Sequence, residues 1–174
     1  MKTILISGKA FSGKDSAANI IKEELEKQGK KVLIAHFGDL LKYVCKTFFN
    51  WNGEKDDYGR TLLQKIGTEK IRGKFPDFWV RFIRDILIIF DDEWDYVLIS
   101  DTRFQNEALL LNDAITVRVT RLNFISPLTI EQQNHSSETS LDSFRFDYYL
   151  NSESGLDNLK IAVNEFLEWL GEFR

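Results

Sequence analysis

The stretch 4-ILISGKAFSGKDSAANIIKEELEKQGKKVLI-34 decides how the rest of the chain is read. An apolar run, Ile4-Leu5-Ile6, enters a loop bounded by Gly8 and Gly13, then Lys14, a hydroxyl at Ser16 and a helical pattern. The loop fits G-x-x-x-x-G-K, in which glycines let the backbone curl so that successive N–H groups point inward at phosphate oxygens. The helix that follows adds its positive end. Lys14 is expected to reach the outer phosphates of a nucleotide as a point charge. Gly8, Lys9, Ala10, Phe11, Ser12, Gly13, Lys14, Asp15 and Ser16 are the candidate nucleotide-phosphate residues. The hydroxyl that commonly follows the lysine is displaced by one place, because Asp15 intervenes before Ser16.

Working outward, short apolar runs alternate with helical patterns, the signature of a parallel sheet covered by helices. Strands are predicted at Thr3–Ser7, Lys31–Phe37, Tyr96–Ser100, Ile115–Val119 and Phe146–Asn151. The first crossover helix is predicted from Ser16 to Gln28, with Gly29 at its C-terminus. The second crossover, Gly38 to Asp95, is far longer than a connection needs. It carries helical patterns at Asp39–Phe49, Arg60–Ile71 and Asp77–Phe90. A helix from Leu156 to Phe173 closes the chain and presents Leu159, Val163, Phe166, Leu167 and Leu170 on one side. The expectation is a single α/β domain over 1–174: a core of 1–38, 94–120 and 141–174, a helical insertion over 39–93, and a lid over about 121–140.

A second anchor lies in YVLISDTRFQNEA, where Asp101 is read as following directly on an apolar strand. A carboxylate at that edge of the sheet can hold Mg²⁺ with Ser16, directly or through water. The competing reading is a cap for the helical run Phe104–Leu111, and the two are compatible. Arg103 is expected to face the same cleft.

Composition narrows the choice of ligand. The net charge is −4, with 43% apolar residues, and charge is unevenly spread. Residues 55–85 carry eight basic and five acidic side chains, whereas 122–174 carry three and nine. Wrapping a nucleic acid polymer needs a broad basic face, so a small anion near the basic middle fits better. Cys45 is the single cysteine, which excludes an internal disulfide and a zinc site built on several thiolates. The apolar run before Gly8 is too short for a signal peptide's core and no window reaches a membrane span, so a cytoplasmic protein without membrane partners is expected.

Four segments, SGKAFSGKDS, GRTLLQKIGTEKIRGKFPDFW, ISDTRFQNEA and HSSETSLDSFRFDYYLN, occur in an order that resembles the deoxynucleoside monophosphate kinases of bacteriophages and some bacteria. The chain is similar, less completely, to animal-type phosphomevalonate kinases, and LLQKIGTEKIR followed by FW separates the two. The resemblance implies a P-loop NTPase kinase fold, a five-stranded parallel sheet with a helical acceptor-binding insertion and a short lid. It also implies ATP and Mg²⁺ as cofactors, a deoxynucleoside monophosphate as acceptor, a host-cytoplasm location if the chain is phage-encoded, and a homodimer as one assembly open to it. Relatives often carry extra basic residues inside the loop, where Ala10 and Phe11 stand here.

By this resemblance Arg60 and Arg72 go to the acceptor phosphate or its approach, Gln64 to base or sugar, and Asp39 with Lys42 to the neighbouring wall. Arg103, Glu107 and Glu138 are placed on the acceptor side as well. Arg60 and Arg72 are twelve residues apart, about three helical turns, and a bend at Gly67-Thr68 would bring them closer. Trp79 is read either as a stacking partner for the base or as core. Arg121 ends a strand where a lid begins and, with Arg103, is a candidate to clamp charge in the transition state. Lys14, Asp101, Arg103 and Arg121 thus form the catalytic set. His135 and Glu138 make an H-x-x-E stretch read as a lid contact or helix cap. A nucleotide-dependent switch is the competing class, without a guanine-reading N-K-x-D segment in this sequence.

Overall fold

The computed structural model describes residues 1–111 and 113–172. Five strands, β1 (Lys2–Ser7), β2 (Val32–Ala35), β3 (Tyr96–Thr102), β4 (Ile115–Arg121) and β5 (Tyr148–Ser152), form one all-parallel sheet in the order β2-β3-β1-β4-β5. The predicted α/β architecture is therefore the observed one. Alternation along β1 divides the core: Ile4 and Ile6 face α1 (Lys14–Lys27) and α8 (Leu156–Leu170), while Leu5 faces α4 (Phe78–Ile89). All three are fully buried, as a central strand covered on both faces requires. Tyr96 and Leu98 of β3 repeat the first side, and Val97 and Ile99 the second. The chain leaves β1 towards β2 and β3, then crosses back to β4. The carboxyl ends of β1 and β3 lie at this change of direction, where parallel sheets leave a crevice.

The insertion between β2 and β3 departs from prediction at one helix. After α2 (Gly38–Phe49), α3 (Asp57–Gln64) starts three residues before Arg60, because Asp56 Oδ1 accepts the Gly59 N–H at 2.7 Å. It runs on without a break into a π-helical stretch, Lys65–Arg72, instead of continuing as α-helix. Gly67 lies in that stretch, where a Cβ would sit 2.5 Å from Leu41 Cδ2, so its small size lets the stretch close on α2. Leu41, Cys45, Trp51, Leu62 and Ile66 pack there as a separate small core, with Cys45 buried in it.

Element boundaries shift elsewhere for local reasons. The segment after β4, where a lid is expected, holds α6 (Ile130–Asn134) and α7 (Ser136–Thr139). A reciprocal cap between Thr129 and Gln132, each side chain accepting the other's N–H at 3.2 Å, starts α6. The fifth strand begins at Tyr148 and not Phe146, since the Asp147 carboxylate takes both the N–H and the hydroxyl of Thr116, at 2.8 and 2.7 Å. The helix Phe104–Leu111 is shortened to α5 (Gln105–Leu110). Phe173, the predicted end of the last helix, lies outside the described residues. Among the described residues no helix is long and apolar enough to cross a membrane.

Phe166 of α8 is wholly buried and its ring centroid stands 5.1 Å from that of Tyr148 on β5. Phe166→Ala is expected to lower stability by about 3–5 kcal/mol, the usual range for losing a buried aromatic ring. Urea unfolding followed by circular dichroism reads this as a lower midpoint at unchanged slope.

Candidate active site

The phosphate loop is fixed by steric necessity at its first glycine. A Cβ on Gly8 would stand 2.4 Å from Ser12 Oγ and 2.5 Å from the Val119 carbonyl oxygen, so β4 passes too close for any side chain. Gly13, at φ 93°, turns the chain into α1, whose first turn has no side-chain cap. Its donors therefore stay available to an anion. Phe11, between them, adopts φ 63°, a left-handed conformation that costs about 1–2 kcal/mol for a residue with a Cβ. Ser12 Oγ is buried and has no hydrogen-bond partner among the described residues. A phosphate oxygen would supply one, so the loop fits a polyphosphate.

Lys14 spans this loop, donating from Nζ to the Lys9 carbonyl oxygen at 2.9 Å. Burial, then the nearby Arg103 charge, lower its pKa to about 7, against smaller opposing pulls from Glu138, Asp15 and Asp101. Lys9 turns away to Asp142, at 3.1 Å, which also accepts from Arg118 Nη2 at 3.0 Å. Lys9 thereby ties the loop to the chain beyond the lid and does not line the cavity.

The acidic groups pair in ways the sequence did not disclose. Ser100 Oγ donates to Asp15 Oδ1 at 2.7 Å, joining the phosphate loop to β3 by a carboxylate on the loop and a hydroxyl on the strand. Asp101 lies within β3 instead of following it, and it caps a different helix from the one anticipated. Its Oδ1 and Oδ2 accept the Phe37 and Gly38 N–H groups, each at 2.8 Å, at the start of α2. Neither Asp101 nor Thr102 caps α5; that task falls to Glu107, whose Oε2 accepts from the N–H groups of Arg103 and Phe104 at 2.5 and 2.9 Å.

Glu107 is almost wholly buried, and its other oxygen takes Arg72 Nη2 at 2.6 Å. Burial pushes its carboxyl up to about 7 against the Arg72 charge and the two N–H donors. Arg72 is further held by Asn106 Oδ1 at 3.1 Å, by the Pro76 carbonyl oxygen at 3.2 Å, and by the Phe104 ring, 4.0 Å beneath the guanidinium. Across the cleft, Glu138 accepts the Ala10 N–H at 2.8 Å with one oxygen and pairs with Arg103 through the other. Arg103 also donates to the Ser137 carbonyl oxygen at 3.1 Å. A carboxylate here meets the donors that a phosphate oxygen at the loop would use.

These groups surround one cavity of about 670 Å³. Ala10, Phe11, Gly13, Lys14, Asp15 and Ser16 line it from the loop, and Asp101, Arg103 and Glu107 from β3 and the turn beyond it. Lys42, Arg60, Gln64, Arg72 and Trp79 line it from the insertion, and Arg121 and Glu138 from the lid segment. Gly8, Lys9, Ser12 and Asp39 are not in the lining. Asp39 is exposed and bonds His36 Nδ1 and Lys42 Nζ at 3.0 and 2.7 Å. Trp79 is 3% exposed and donates to the Gly67 carbonyl oxygen at 3.2 Å, so it is core that also forms part of the wall. Arg121 stacks on Phe124 at 4.4 Å and donates to Ser154 Oγ at 3.0 Å. Ser100, Asn106, Phe104, Ser137 and Asp142 were missed. Ser100 and Asn106 flank Asp101 and Glu107 within ISDTRFQNEA, the signal that could have drawn attention to them.

Among the described residues no cluster of three or more His, Cys, Asp or Glu is assembled to hold a metal alone. Asp15, Ser16 and Asp101 offer oxygens of the kind Mg²⁺ takes when nucleotide phosphates and water complete its shell, so the donor set fits that ion.

The fold and this loop define a P-loop kinase fold. Three solved structures match it over nearly their whole length: shikimate kinases of Bacteroides thetaiotaomicron (14% identity, 98% of each chain, TM-score 0.53) and Aquifex aeolicus (14%, 99% of each, 0.53), and an APS kinase of Mycobacterium tuberculosis (15%, 96% of each, 0.51). No protein-family model matches the sequence, and neither does any curated protein.

Lys14, with its folded pKa below that of an unfolded lysine, binds fewer protons folded than unfolded between about pH 7 and 10.5, so its contribution to stability rises with pH there. Glu107, with a raised folded pKa, holds its proton when folded between pH 4.5 and about 7, and its contribution falls as pH rises through that window. Stability of the ligand-free protein is therefore expected to dip near pH 7. Lys14→Met should raise the thermal midpoint at pH 7 and flatten the rise above it, measured by calorimetry across pH 5–10.

Proposed function

We propose that this protein is a deoxynucleoside monophosphate kinase, transferring the γ-phosphoryl group of ATP to a deoxynucleoside monophosphate to give the diphosphate and ADP. The observation that carries this reading is a cavity lined both by the phosphate loop with Lys14 and by Arg60, Arg72, Gln64 and Lys42 of the insertion. Two sets of cationic and N–H groups on one cavity suit a reaction between two phosphate esters, and a switch protein needs only one. The kinase fold agrees with this, and the family resemblance of the four sequence segments supplies the nucleotide acceptor.

The acceptor is a phosphate monoester with a second pKa of about 6, already largely a dianion at neutral pH, so no general base is needed. The work is to bring two anions together and to stabilise charge on the transferring group. Loop N–H groups and Lys14 hold the β- and γ-phosphates. Arg60 receives the acceptor phosphate, and Arg72, fastened by Glu107, gives a positively charged wall that does not swing. Arg103 and Arg121 balance charge on the transferring group. Asp15, Ser16 and Asp101 would hold Mg²⁺, which would supply positive charge to neutralise the phosphates. Entry of the γ-phosphate displaces Glu138 from Ala10 and Arg103, so the lid segment answers to nucleotide. Closure keeps water from the transferable group.

The decisive experiment is ADP release with ATP and Mg²⁺ against each deoxynucleoside monophosphate, the ribonucleotides and phosphomevalonate. Turnover with one or more deoxynucleotides, reduced at least 10³-fold in Lys14→Ala, is the expected result, in keeping with the weight of charge stabilisation in phosphoryl transfer. Turnover of phosphomevalonate alone, or ATP loss indifferent to every acceptor, overturns the proposal. Calorimetry of ATP binding at pH 8 in buffers of different ionisation enthalpy gives an independent check. Phosphate charge raises the pKa of a Lys14 that is mostly neutral there, so the wild type should take up a proton and Lys14→Met should lose that uptake.

A further inference from the structure

Phe11 stands in the phosphate loop, yet nothing about phosphate binding calls for a benzyl side chain there. It is 46% exposed, belongs to no core cluster among the described residues, and occupies a left-handed conformation that glycine or asparagine would adopt more readily. A strained bulky residue at a ligand site points to a role that offsets the strain. Its ring lies 5.6 Å from the guanidinium carbon of Arg60, within cation–π range, and both side chains line the cavity. Arg60 comes from α3 in the insertion, and none of the ion pairs among the described residues engages it. The ring thus stands beside a residue of the surface assigned to the acceptor.

We propose that Phe11 is an acceptor-specificity residue and not a donor-nucleotide one: with Arg60 it forms a two-part clamp for a nucleoside monophosphate. Arg60 takes the phosphate, and the ring faces the carbon skeleton of the sugar beside it. This rests on the kinase reading above and deepens it. The chemistry follows from adjacency, since the sugar is one ester bond from the phosphate and the ring is a few ångströms from the cation that holds that phosphate. An apolar ring offers no partner to a hydroxyl, so a sugar carbon bearing hydrogen is favoured over one bearing oxygen.

The test uses Phe11→Gly, which removes the ring and suits the left-handed backbone, so the variant should fold at least as well as the wild type by thermal midpoint. Calorimetric titration with ATP alone and with each deoxynucleoside monophosphate alone reads the two sides separately. Deoxynucleotide affinity is expected to fall about tenfold with ATP affinity within twofold, and the deoxy-to-ribo ratio of kcat/KM for the preferred base to fall by a similar factor. Loss of ATP affinity with acceptor affinity intact, or no change in either, overturns this inference alone. A wild type that neither binds nor phosphorylates any deoxynucleotide overturns the kinase reading and this inference with it.

Discussion

Three carboxylates at one edge of the parallel sheet accept backbone N–H groups that would otherwise lack an acceptor. Asp101 takes the donors at the start of α2, Glu107 those at the start of α5, and Glu138 the Ala10 donor of the phosphate loop. A hydrogen bond to a charged group contributes about 1.5–3 kcal/mol, and a buried donor left without a partner costs about 1–3 kcal/mol. Two of the three carboxylates also hold an arginine. Position of the insertion on the sheet, orientation of Arg72, and docking of the lid segment on the loop all follow from these bonds.

The three differ in what can replace them. Asp101 and Glu107 bind donors that belong to helix starts, and Glu107 is 1% exposed. Glu138 instead binds a loop donor and Arg103, both of which a phosphate would use. In the proposed kinase reading Glu138 is the exchangeable member of the three, and its exchange for phosphate links nucleotide entry to the segment that carries it. Lys14 shows the same charge balance from the other side. It sits buried near Arg103 with a carbonyl oxygen as its described hydrogen-bond partner, so it lacks the anion that would suit its charge. Phosphate completes the set.

Local signals in the sequence were sufficient for the sheet and the loop, because both are written in neighbouring residues. Ile4-Leu5-Ile6 read as a buried strand and proved to face two cores alternately, and Gly8 to Lys14 read as an anion loop. Pairings across long separations were not legible. Asp15 meets Ser100 from 85 residues away, and Asp101 meets Phe37 from 64, so each depends on sheet order that no local pattern specifies. The Lys65–Arg72 stretch was read as α-helix since its apolar spacing fits either helix, and the choice is made by packing of Gly67 against Leu41. Glu107 is read from the sequence as substrate-binding; in the structure it lines the cavity and bonds Arg72, an arrangement that positions the arginine.

Where local rules are broken also carries meaning. Among the described residues four non-glycine positions have positive φ, and Asn50, Asp113 and Asn123 are of the types that tolerate it. Phe11 is the exception. Within three residues of it lie Ser12, whose hydroxyl is buried without a partner, and Lys14, a lysine buried with its pKa drawn down to about 7. A chain whose strands, caps and cores otherwise agree with their sequences concentrates three departures in one short loop. Such departures raise the energy of the free protein: a buried hydroxyl without a partner at Ser12, a buried charge at Lys14 and a left-handed backbone at Phe11. In the proposed reading the donor phosphates supply the oxygen for Ser12 and the negative charge for Lys14, while the acceptor's carbon skeleton covers the Phe11 ring, so one short loop serves both substrates.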